Sequence, residues 1–251
     1  MYSLILGGLG FIGLNYIIKN KNKKIICVDN QSYAANTSHL KYLKKLPNFE
    51  YFNANISNQK TIKKIFNNYK IKYIINFAAE THVDNSILNP KVFVKRNVLD
   101  FVSFLQIIIN LKNFDKENIR FLHVSTDEVY GSLKLKQRKF LEEDKFYPNS
   151  PYSGVISIFS DRMLKGQGIV INGGYQTRDF VFVKDVVNTI YQAIALASNK
   201  TVCEVSNVLT GKSVTIDHLA DQLMDVVGID VNKTYQELSI GDPEQSDGTV
   251  E

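Results

Sequence analysis

Two cysteines, five prolines, four histidines and no tryptophan stand among 251 residues, and several of these scarcities close off a class of protein. Cys27 and Cys203 lie far apart in apolar runs, so no disulfide framework is expected and both read as buried thiols of a reducing compartment. His39, His82, His123 and His218 fall in no Cys/His spacing that would hold zinc, and no metal site is expected. Long apolar runs are missing as well. The first, Ser3 to Ile18, is broken by Gly7, Gly8, Gly10 and Gly13 and has no basic residue before it, so no signal peptide is expected. No later stretch reaches transmembrane length, and a soluble, cytoplasmic protein is the expectation. Arginine is scarce beside lysine, 5 against 25. The lysines scatter along presumed helix faces (Lys41, Lys44, Lys45; Lys60, Lys63, Lys64) without interleaved aromatics, which points to a solvated surface rather than to nucleic acid.

What is present is ordinary globular composition, 44% hydrophobic and 22% charged, which excludes collagen-like, disulfide-rich and disordered classes. A chain of this length buries roughly 70–75% of its unfolded surface, enough for a core without staples. Its length suits one large domain or one domain with a smaller lobe. The charge is lopsided. Residues 1–150 hold 23 Lys and Arg against 12 Asp and Glu, and the remainder 7 against 13, which splits the formal +5 into +11 and −6. The weak positive field of the first part favours an anionic small molecule.

Short apolar runs alternate with helical patterns over the first 125 residues. Ser3–Leu6, Lys24–Val28, Glu50–Asn53, Tyr73–Phe77 and Arg120–Ser125 read as strands. Phe11–Lys19, the Ser38–Leu46 region, Asn58–Tyr69 and Pro90–Asn110 carry helix-period apolar positions. Such repetition predicts an α/β fold with a doubly wound parallel sheet of Rossmann type. The rhythm changes after Ser125. Residues 131–154 read as loop, Val155–Leu164 as helix, Ile169–Ile171 as strand, Asn172–Gly174 as turn and Asp185–Ala197 as helix. Val202–Ser206 reads as a strand, Ile216–Val227 as a helix ending before Gly228, and 241–251 as an acidic stretch without pattern. The expected division is a dinucleotide-binding domain over 1–150 and a small, incomplete substrate lobe over 151–251, interleaved with the end of the sheet.

Gly7-Gly8-Leu9-Gly10-Phe11-Ile12-Gly13 follows a strand and opens a helix, the setting in which glycines admit a pyrophosphate to a helix N-terminus. Gly8, Gly10 and Gly13 form the fingerprint, and Gly7 adds a second three-residue spacing. Asp29 closes the next strand 21 residues after Gly8, where a carboxylate accepts from ribose hydroxyls and repels a 2′-phosphate. Asn30 and Gln31 follow with no arginine, so the pattern favours NAD over NADP. A glycine-rich turn with a capping aspartate is the other reading. Ser125-Thr126-Asp127-Glu128-Val129-Tyr130-Gly131 lies after the fifth strand, where open sheets bind ligands. Two adjacent carboxylates can divide acid and base roles there. The Ser125-x-x-Glu128 spacing equally reads as a capping box.

These residues resemble the extended short-chain dehydrogenases/reductases of the NAD-dependent epimerase/dehydratase family, in its nucleotide-sugar dehydratase branch. The glycine turn carries the likeness, with Val28-Asp29-Asn30, Tyr33-Ala34-Ala35-Asn36, Phe77-Ala78-Ala79-Glu80-Thr81-His82-Val83-Asp84-Asn85-Ser86, the Thr126-Asp127-Glu128 stretch, Ser150-Pro151-Tyr152-Ser153 and Thr177-Arg178-Asp179-Phe180-Val181. The resemblance implies that hydride passes from sugar C4 to NAD, water leaves across C5–C6, and hydride returns to C6. It implies that Thr126 binds the C4 oxygen, Asp127 protonates the leaving hydroxyl, Glu128 takes the C5 proton, and Tyr152 completes the catalytic set. Ala78, Ala79 and Thr81 would line the cofactor, His82 would face the sugar and Arg178 would grip the diphosphate, Arg178–Asp179 surface pairing being the alternative for the last. Asn55-Ile56 occupies the place of an Asp-Ile or Asp-Leu pair that meets adenine, which loses a carboxylate and keeps an amide acceptor. Asn97, in the long helix, would orient water or backbone. A nucleotide-diphosphate sugar is the implied substrate, and a homodimer through the helix at 90–110 is an implied partner.

The family places a lysine four residues after its tyrosine, where the ammonium lowers the phenol pKa and holds the nicotinamide ribose. Here Ile156 stands four residues after Tyr152. Tyr130 and Lys134 have that spacing, but Tyr130 belongs to the Glu-Val-Tyr-Gly turn. Ser150 to Phe159 resembles a later segment of related epimerases, so the chain reads as joined at a Ser-Pro-Tyr-Ser sequence with the lysine helix and the sixth strand left out. That join predicts an exposed sheet edge at the fifth strand. The expected activities are nucleotide-sugar 4,6-dehydration, a non-catalytic binding remnant, or 4-epimerisation.

Overall fold

The computed structural model describes residues 1–81, 89–112, 114, 118–130, 138–139, 141–144, 155–196, 204–238, 243–246 and 248. These form two compact units, the first from residues of 1–80, 89–124 and 182–204, the second from 81, 125–181 and 205–248. The units do not part at a single cut near 150. The segment after the fifth strand groups with the second unit, and the chain returns to the first at Phe182.

In the first unit, β1 (Tyr2–Leu6), β2 (Ile25–Asp29), β3 (Phe49–Asn53), β4 (Ile71–Asn76) and β5 (Arg120–His123) form one parallel sheet in the order β3-β2-β1-β4-β5. Ile25, Ile26, Cys27 and Val28 are all buried, as a central strand covered on both faces requires. One face carries α1 (Phe11–Lys19) and α2 (Leu40–Leu43), joined later by the returning helix over Val183–Leu196. Leu14, Ile17, Leu43, Val187, Ile190 and Ile194 close over Ile5, Cys27 and Ile75 there. The other face carries α3 (Gln59–Asn68) and a long helix that starts at Pro90. Asn58 caps α3 by accepting from the Thr61 N–H at 3.0 Å, and Ile62, Ile65 and Phe66 recur at the helix period into the core.

The long helix is not uniform. It runs as α4 (Pro90–Phe93), a π-helical stretch over Val94–Asp100, and α5 (Phe101–Ile109), which buries Phe104 and Ile108. The sheet ends at β5. Among the described residues β5 has one partner strand, β4, and Phe121 on it is 39% exposed.

The second unit packs α6 (Val155–Leu164) and, later in the chain, the helix over Ile216–Val227 against β6 (Ile169–Asn172). Its core is Phe159, Met163, Ile169, Ile171, Ile216, Leu219, Ala220 and Met224. With β7 (Thr177–Arg178), α7 (the Val183–Leu196 helix), β8 (Val214–Thr215), α8 (the Ile216–Val227 helix), β9 (Lys233–Gln236) and β10 (Gln245–Ser246) the chain order is complete. β6 pairs with β9, and β7 lies between β10 and β8. Thr215 caps α8 through its Oγ1, which accepts from His218 N at 3.2 Å, and Gly228 ends it at φ +71°. Lys233 Nζ sits 2.9 Å from Asp217 and 2.6 Å from Asp221, tying β9 to α8.

Three expectations change. Glu204, Val205 and Ser206 are not in a strand, and Val205 is 46% exposed, so the alternating pattern there meets no sheet edge among the described residues; Val202 and Cys203 lie outside them. The acidic stretch read as unpatterned contains β10, whose two residues are too few to show a period. The Ser38–Leu46 region forms only a 3-10 turn over Thr37–His39, capped by Asn36 Oδ1, followed by the four residues of α2. Among the described residues no helix is long and apolar enough to cross a membrane.

Candidate functional site

A groove opens in the first unit at the carboxyl ends of β1, β2, β3 and β4, lined from Gly7 and Gly10 at its centre to Asn55 and Asp100 at one end. Gly7 holds φ +70°, and a Cβ there would come within 2.6 Å of the Ala78 backbone, so the tight turn belongs to Gly7 rather than to Gly8. Gly8 is closed by Cys27 Sγ and Ile17 Cδ1, and Gly13 by the Gly7 carbonyl, so both serve packing. Gly10 differs: a Cβ there would meet only the Gly7 carbonyl oxygen, at 3.4 Å. Gly10 is also the N-cap of α1, with no side-chain cap and no acidic residue in the first turn. The first backbone N–H groups of α1, at Phe11 and Ile12, have no partner within the helix, and this end of the dipole attracts an anion. An open glycine beside an uncapped helix N-terminus fits a pyrophosphate.

Asp29 is only 7% exposed and both of its carboxylate oxygens are engaged. Leu9 N donates to Oδ2 at 2.9 Å and Gln31 N to Oδ1 at 2.8 Å. Asp29 thus ties the glycine turn to the end of β2, and its remaining lone pairs stay available to ribose hydroxyls. Asn30 follows, accepting from Ser32 N at 3.1 Å.

Beyond β3 the groove is walled by Ala54, Asn55 and Ile56, and opposite by two side chains of the π-helical stretch, Arg96 and Asp100. Asn55 Nδ2 donates to Asp100 Oδ2 at 2.7 Å. Asn55 Oδ1 accepts from Ser57 N at 3.0 Å and from Ser57 Oγ at 3.1 Å. The amide acceptor expected to face the cofactor is therefore turned to Ser57. Asp100, 6% exposed, lies 2.9 Å from Ser57 Oγ, whose single hydrogen it shares with Asn55 Oδ1, and Arg96 Nη1 is 3.4 Å away. Arg96 and Asp100 escape a reading by helix period because π winding changes which side chains share a face. The signal that marks them is an aspartate inside the apolar run Val-Leu-Asp-Phe-Val.

The loop after β4 supplies Phe77, Ala78, Ala79 and Glu80 to the groove. Asn97 holds it: its Oδ1 accepts from Glu80 N at 2.8 Å and its Nδ2 donates to Glu80 O at 2.9 Å. Asn97 orients backbone, one of the two roles expected of it. Buried Asn76 accepts from Ala78 N at 3.0 Å and donates from Nδ2 to His123 Nδ1 at 2.9 Å. That bond leaves the His123 proton on Nε2, and burial lowers the ring's pKa, so His123 is neutral at pH 7. Burial raises the Glu80 carboxyl, against which Arg96 and the Tyr33 hydroxyl pull it down.

The other candidates fall in the second unit or outside the described residues. Asp127–Tyr130 is a 3-10 turn that opens three residues beyond Val124, with Thr126 C=O accepting from Val129 N at 3.3 Å. This makes Thr126 the cap, so Ser125 stands one residue before it and Glu128 falls one position short of the place a capping box needs. Ser125 and Thr126 are exposed. Tyr130 is 5% exposed and donates to Asn207 Oδ1 at 3.0 Å, and burial raises its pKa, so it is a structural phenol rather than a phenolate. Arg178 is half-buried and donates to the Thr177 carbonyl at 2.7 Å. Asp179 accepts from Thr210 N and from Gly211 N. Thr81 is exposed, and His82 and Tyr152 lie outside the described residues.

The profile of the GDP-mannose 4,6 dehydratase family matches residues 4–155, and that of the NAD dependent epimerase/dehydratase family matches 153–208. A dTDP-glucose 4,6-dehydratase of Haemophilus influenzae is 30% identical, over 76% of this chain and 70% of that protein. That alignment runs to 236 positions while using about 190 of the 251 residues here, so about 45 positions of the relative have no counterpart. Several other curated dTDP-glucose 4,6-dehydratases match over 44–46% of their own length, so the chain spans under half of those relatives. Among solved structures, a UDP-glucose 4-epimerase of Thermotoga maritima with UDP-glucose is 27% identical at TM-score 0.83, covering 99% of this chain and 90% of that one. A dTDP-glucose 4,6-dehydratase of Bacillus anthracis in complex with NAD, 24% identical, has the same fold at TM-score 0.83, covering 99% and 87%. With a glycine turn, an aspartate-closed second strand and a matching profile over more than half its length, this chain belongs to the GDP-mannose 4,6 dehydratase family, among the extended short-chain dehydrogenases/reductases.

Proposed function

We propose that this chain binds NAD in the groove of the first unit and acts as a nucleotide-sugar 4,6-dehydratase, taking dTDP-glucose to dTDP-4-keto-6-deoxyglucose. The observation that carries the cofactor half is the open Gly10 at an uncapped helix N-terminus, with Asp29 beside it in one groove. NAD bound there would take up and return a hydride. Thr126 would hold the C4 oxygen, Asp127 would give a proton to the C6 hydroxyl as it leaves, and Glu128 would remove the proton at C5. The two carboxyl groups need different proton affinities for those roles, which adjacent acids acquire when their surroundings differ. Arg178 would meet the diphosphate and His82 the sugar.

Tyr152 stands without a lysine four residues on, and an unassisted phenol forgoes an acid–base contribution of about 10²–10⁴-fold. Slow turnover is the consequence. The break between the two family profiles at 153–155 supports a missing segment at that point. The second reading, a non-catalytic binding remnant, draws on the same break and on the open edge of β5. A homodimer through 90–110, in the cytoplasm, belongs to the first reading and draws support from exposed Val94, Val98, Leu99 and Val102.

Incubation of the purified chain with NAD and dTDP-glucose separates the two readings. The expected result is a product lighter by one water, seen by mass spectrometry, at a rate far below one per second. Bound NAD with no such product after prolonged incubation would overturn the dehydratase reading.

A further inference from the structure

Asn76 ends β4 buried, with its backbone held on both sides: its carbonyl accepts from Val124 N at 3.0 Å, and the next amide, Phe77 N, donates to Leu6 O at 2.8 Å. Its side chain is committed as well. Oδ1 accepts from Ala78 N at 3.0 Å, and Nδ2 stands 2.9 Å from His123 Nδ1. A backbone N–H can only donate, so Ala78 fixes Oδ1 toward itself and leaves the amide a donor toward the ring. Nδ1 is then the ring's acceptor, with its hydrogen on Nε2. Ala78 in turn lies against the glycine turn, where a Cβ on Gly7 would come within 2.6 Å of its backbone. The line from His123 through Asn76 to Ala78 thus ends in the groove, although His123 is not among the residues that line it.

We propose that Asn76 and His123 are positioning residues for the cofactor loop, and that a proton taken up at His123 Nδ1 weakens NAD binding by releasing Ala78 from its place beside the glycine turn. An imidazolium has two donors and no acceptor. Nδ1–H would then face Nδ2–H, and turning the amide over only moves the conflict, because Nδ2 would meet Ala78 N–H instead. Either way one buried donor loses its acceptor, an effect of about tenfold in an equilibrium. Among the described residues, β4 presents Asn76 to the ring and α5 presents Phe101, stacked on it at 4.7 Å between centroids. α5 carries no titratable side chain, and Asp100 just ahead of it is bound to Asn55. α7 packs on the opposite face of the sheet with Leu122 and Val124, so its Lys184, Asp185 and Tyr191 belong to that face. Lys72, Tyr73 and Arg120 stand at the other ends of β4 and β5. Burial is what sets the ring's pKa below its ordinary 6.5, so proton uptake falls on the acid side of neutrality.

This role rests on the dinucleotide reading of the groove, and one set of measurements separates the two. The full chain, His123→Gln and Asn76→Asp are titrated with NAD by calorimetry at pH 8 and pH 5. The His123 ring is followed against pH by proton NMR in the wild-type chain, with and without NAD, and in ligand-free Asn76→Asp. The glutamine offers Asn76 an acceptor that does not titrate, and the aspartate offers acceptors to both Ala78 N and a charged ring. Glu80, which also lines the groove, is common to all three chains. From pH 8 to pH 5 the wild-type affinity is expected to fall about threefold more than that of either variant. The ring is expected to titrate at a higher pH in Asn76→Asp, and at a lower pH in the wild-type chain once NAD is bound, since linkage is reciprocal. Equal pH dependence in wild type and His123→Gln, or a ring titration unmoved by NAD or by Asn76→Asp, would overturn this role and leave the cofactor assignment intact. No binding of NAD by the wild-type chain at pH 8 would overturn both.

Discussion

Gly7 and Gly10 are three residues apart and face opposite fates on gaining a methyl group. Gly7→Ala forces an alanine into the left-handed region and its Cβ to 2.6 Å from Ala78 backbone, so a loss of roughly 2–4 kcal/mol is expected in denaturant unfolding. Gly10→Ala meets only the Gly7 carbonyl oxygen, at 3.4 Å, and costs about 1 kcal/mol or less as a change of N-cap. It is nonetheless expected to weaken NAD binding at least tenfold by calorimetry, because the methyl stands where phosphate approaches. Asn55→Asp alone puts a second carboxylate 2.7 Å from Asp100. The pair then holds a proton more tightly when folded than when unfolded, so the destabilisation of about 1–3 kcal/mol is full at pH 8. It shrinks as the pH falls through the raised pKa of the pair, and melting curves at pH 5 and pH 8 are expected to show the gap to wild type narrowing at pH 5. At this scale the sequence is readable for backbone and much less so for side chains. Glycine spacing and Asp29 are visible because the turn geometry admits few residue types. The partner of Asn55 is 45 residues away on another element, and nothing local announces it.

The strands and most helices follow from periodicity, since a buried strand must be apolar throughout and an amphipathic helix must repeat. The π-helical stretch over Val94–Asp100 does not follow, because one extra residue per turn leaves the apolar count almost unchanged. That stretch carries Arg96, Asn97 and Asp100, and all three serve the groove or its loop. Asn97→Ala removes two hydrogen bonds to Glu80, worth about 0.5–1.5 kcal/mol each. The expected outcome is a folded chain with NAD affinity reduced about three- to tenfold. Phe104→Ala, in the α5 turn that fills the core beneath, is expected to cost about 3–5 kcal/mol of stability instead. Comparing unfolding and titration curves of the two variants checks whether the π turn acts on the groove or only on the fold. The short strands β7, β8 and β10 were beyond reach of any pattern, each being two residues long.

At the scale of the molecule, the first unit is a complete five-stranded nucleotide-binding sheet up to β5, and the second is built around α6, β6 and α8. α6 begins at Val155, inside the interval where one family profile ends and the other begins. Phe159 and Met163 on that helix pack with β6 and α8, in a core that contains no residue of the five-stranded sheet. The helix that carries Ile156 is therefore a helix of the second unit. The proposed join rests on the sequence alone, where the motifs on either side keep their order while the lysine is missing. The division between units was not legible there, because the chain leaves the first unit after Val124 and returns to it at Phe182. The groove is the part of the molecule on which every binding prediction turns, whatever the fate of catalysis. The most direct measurement is calorimetric titration of the purified full chain with NAD. One NAD per chain, with binding lost in Gly10→Ala at unchanged fold, is the predicted result, and no saturable binding to the wild-type chain would contradict it.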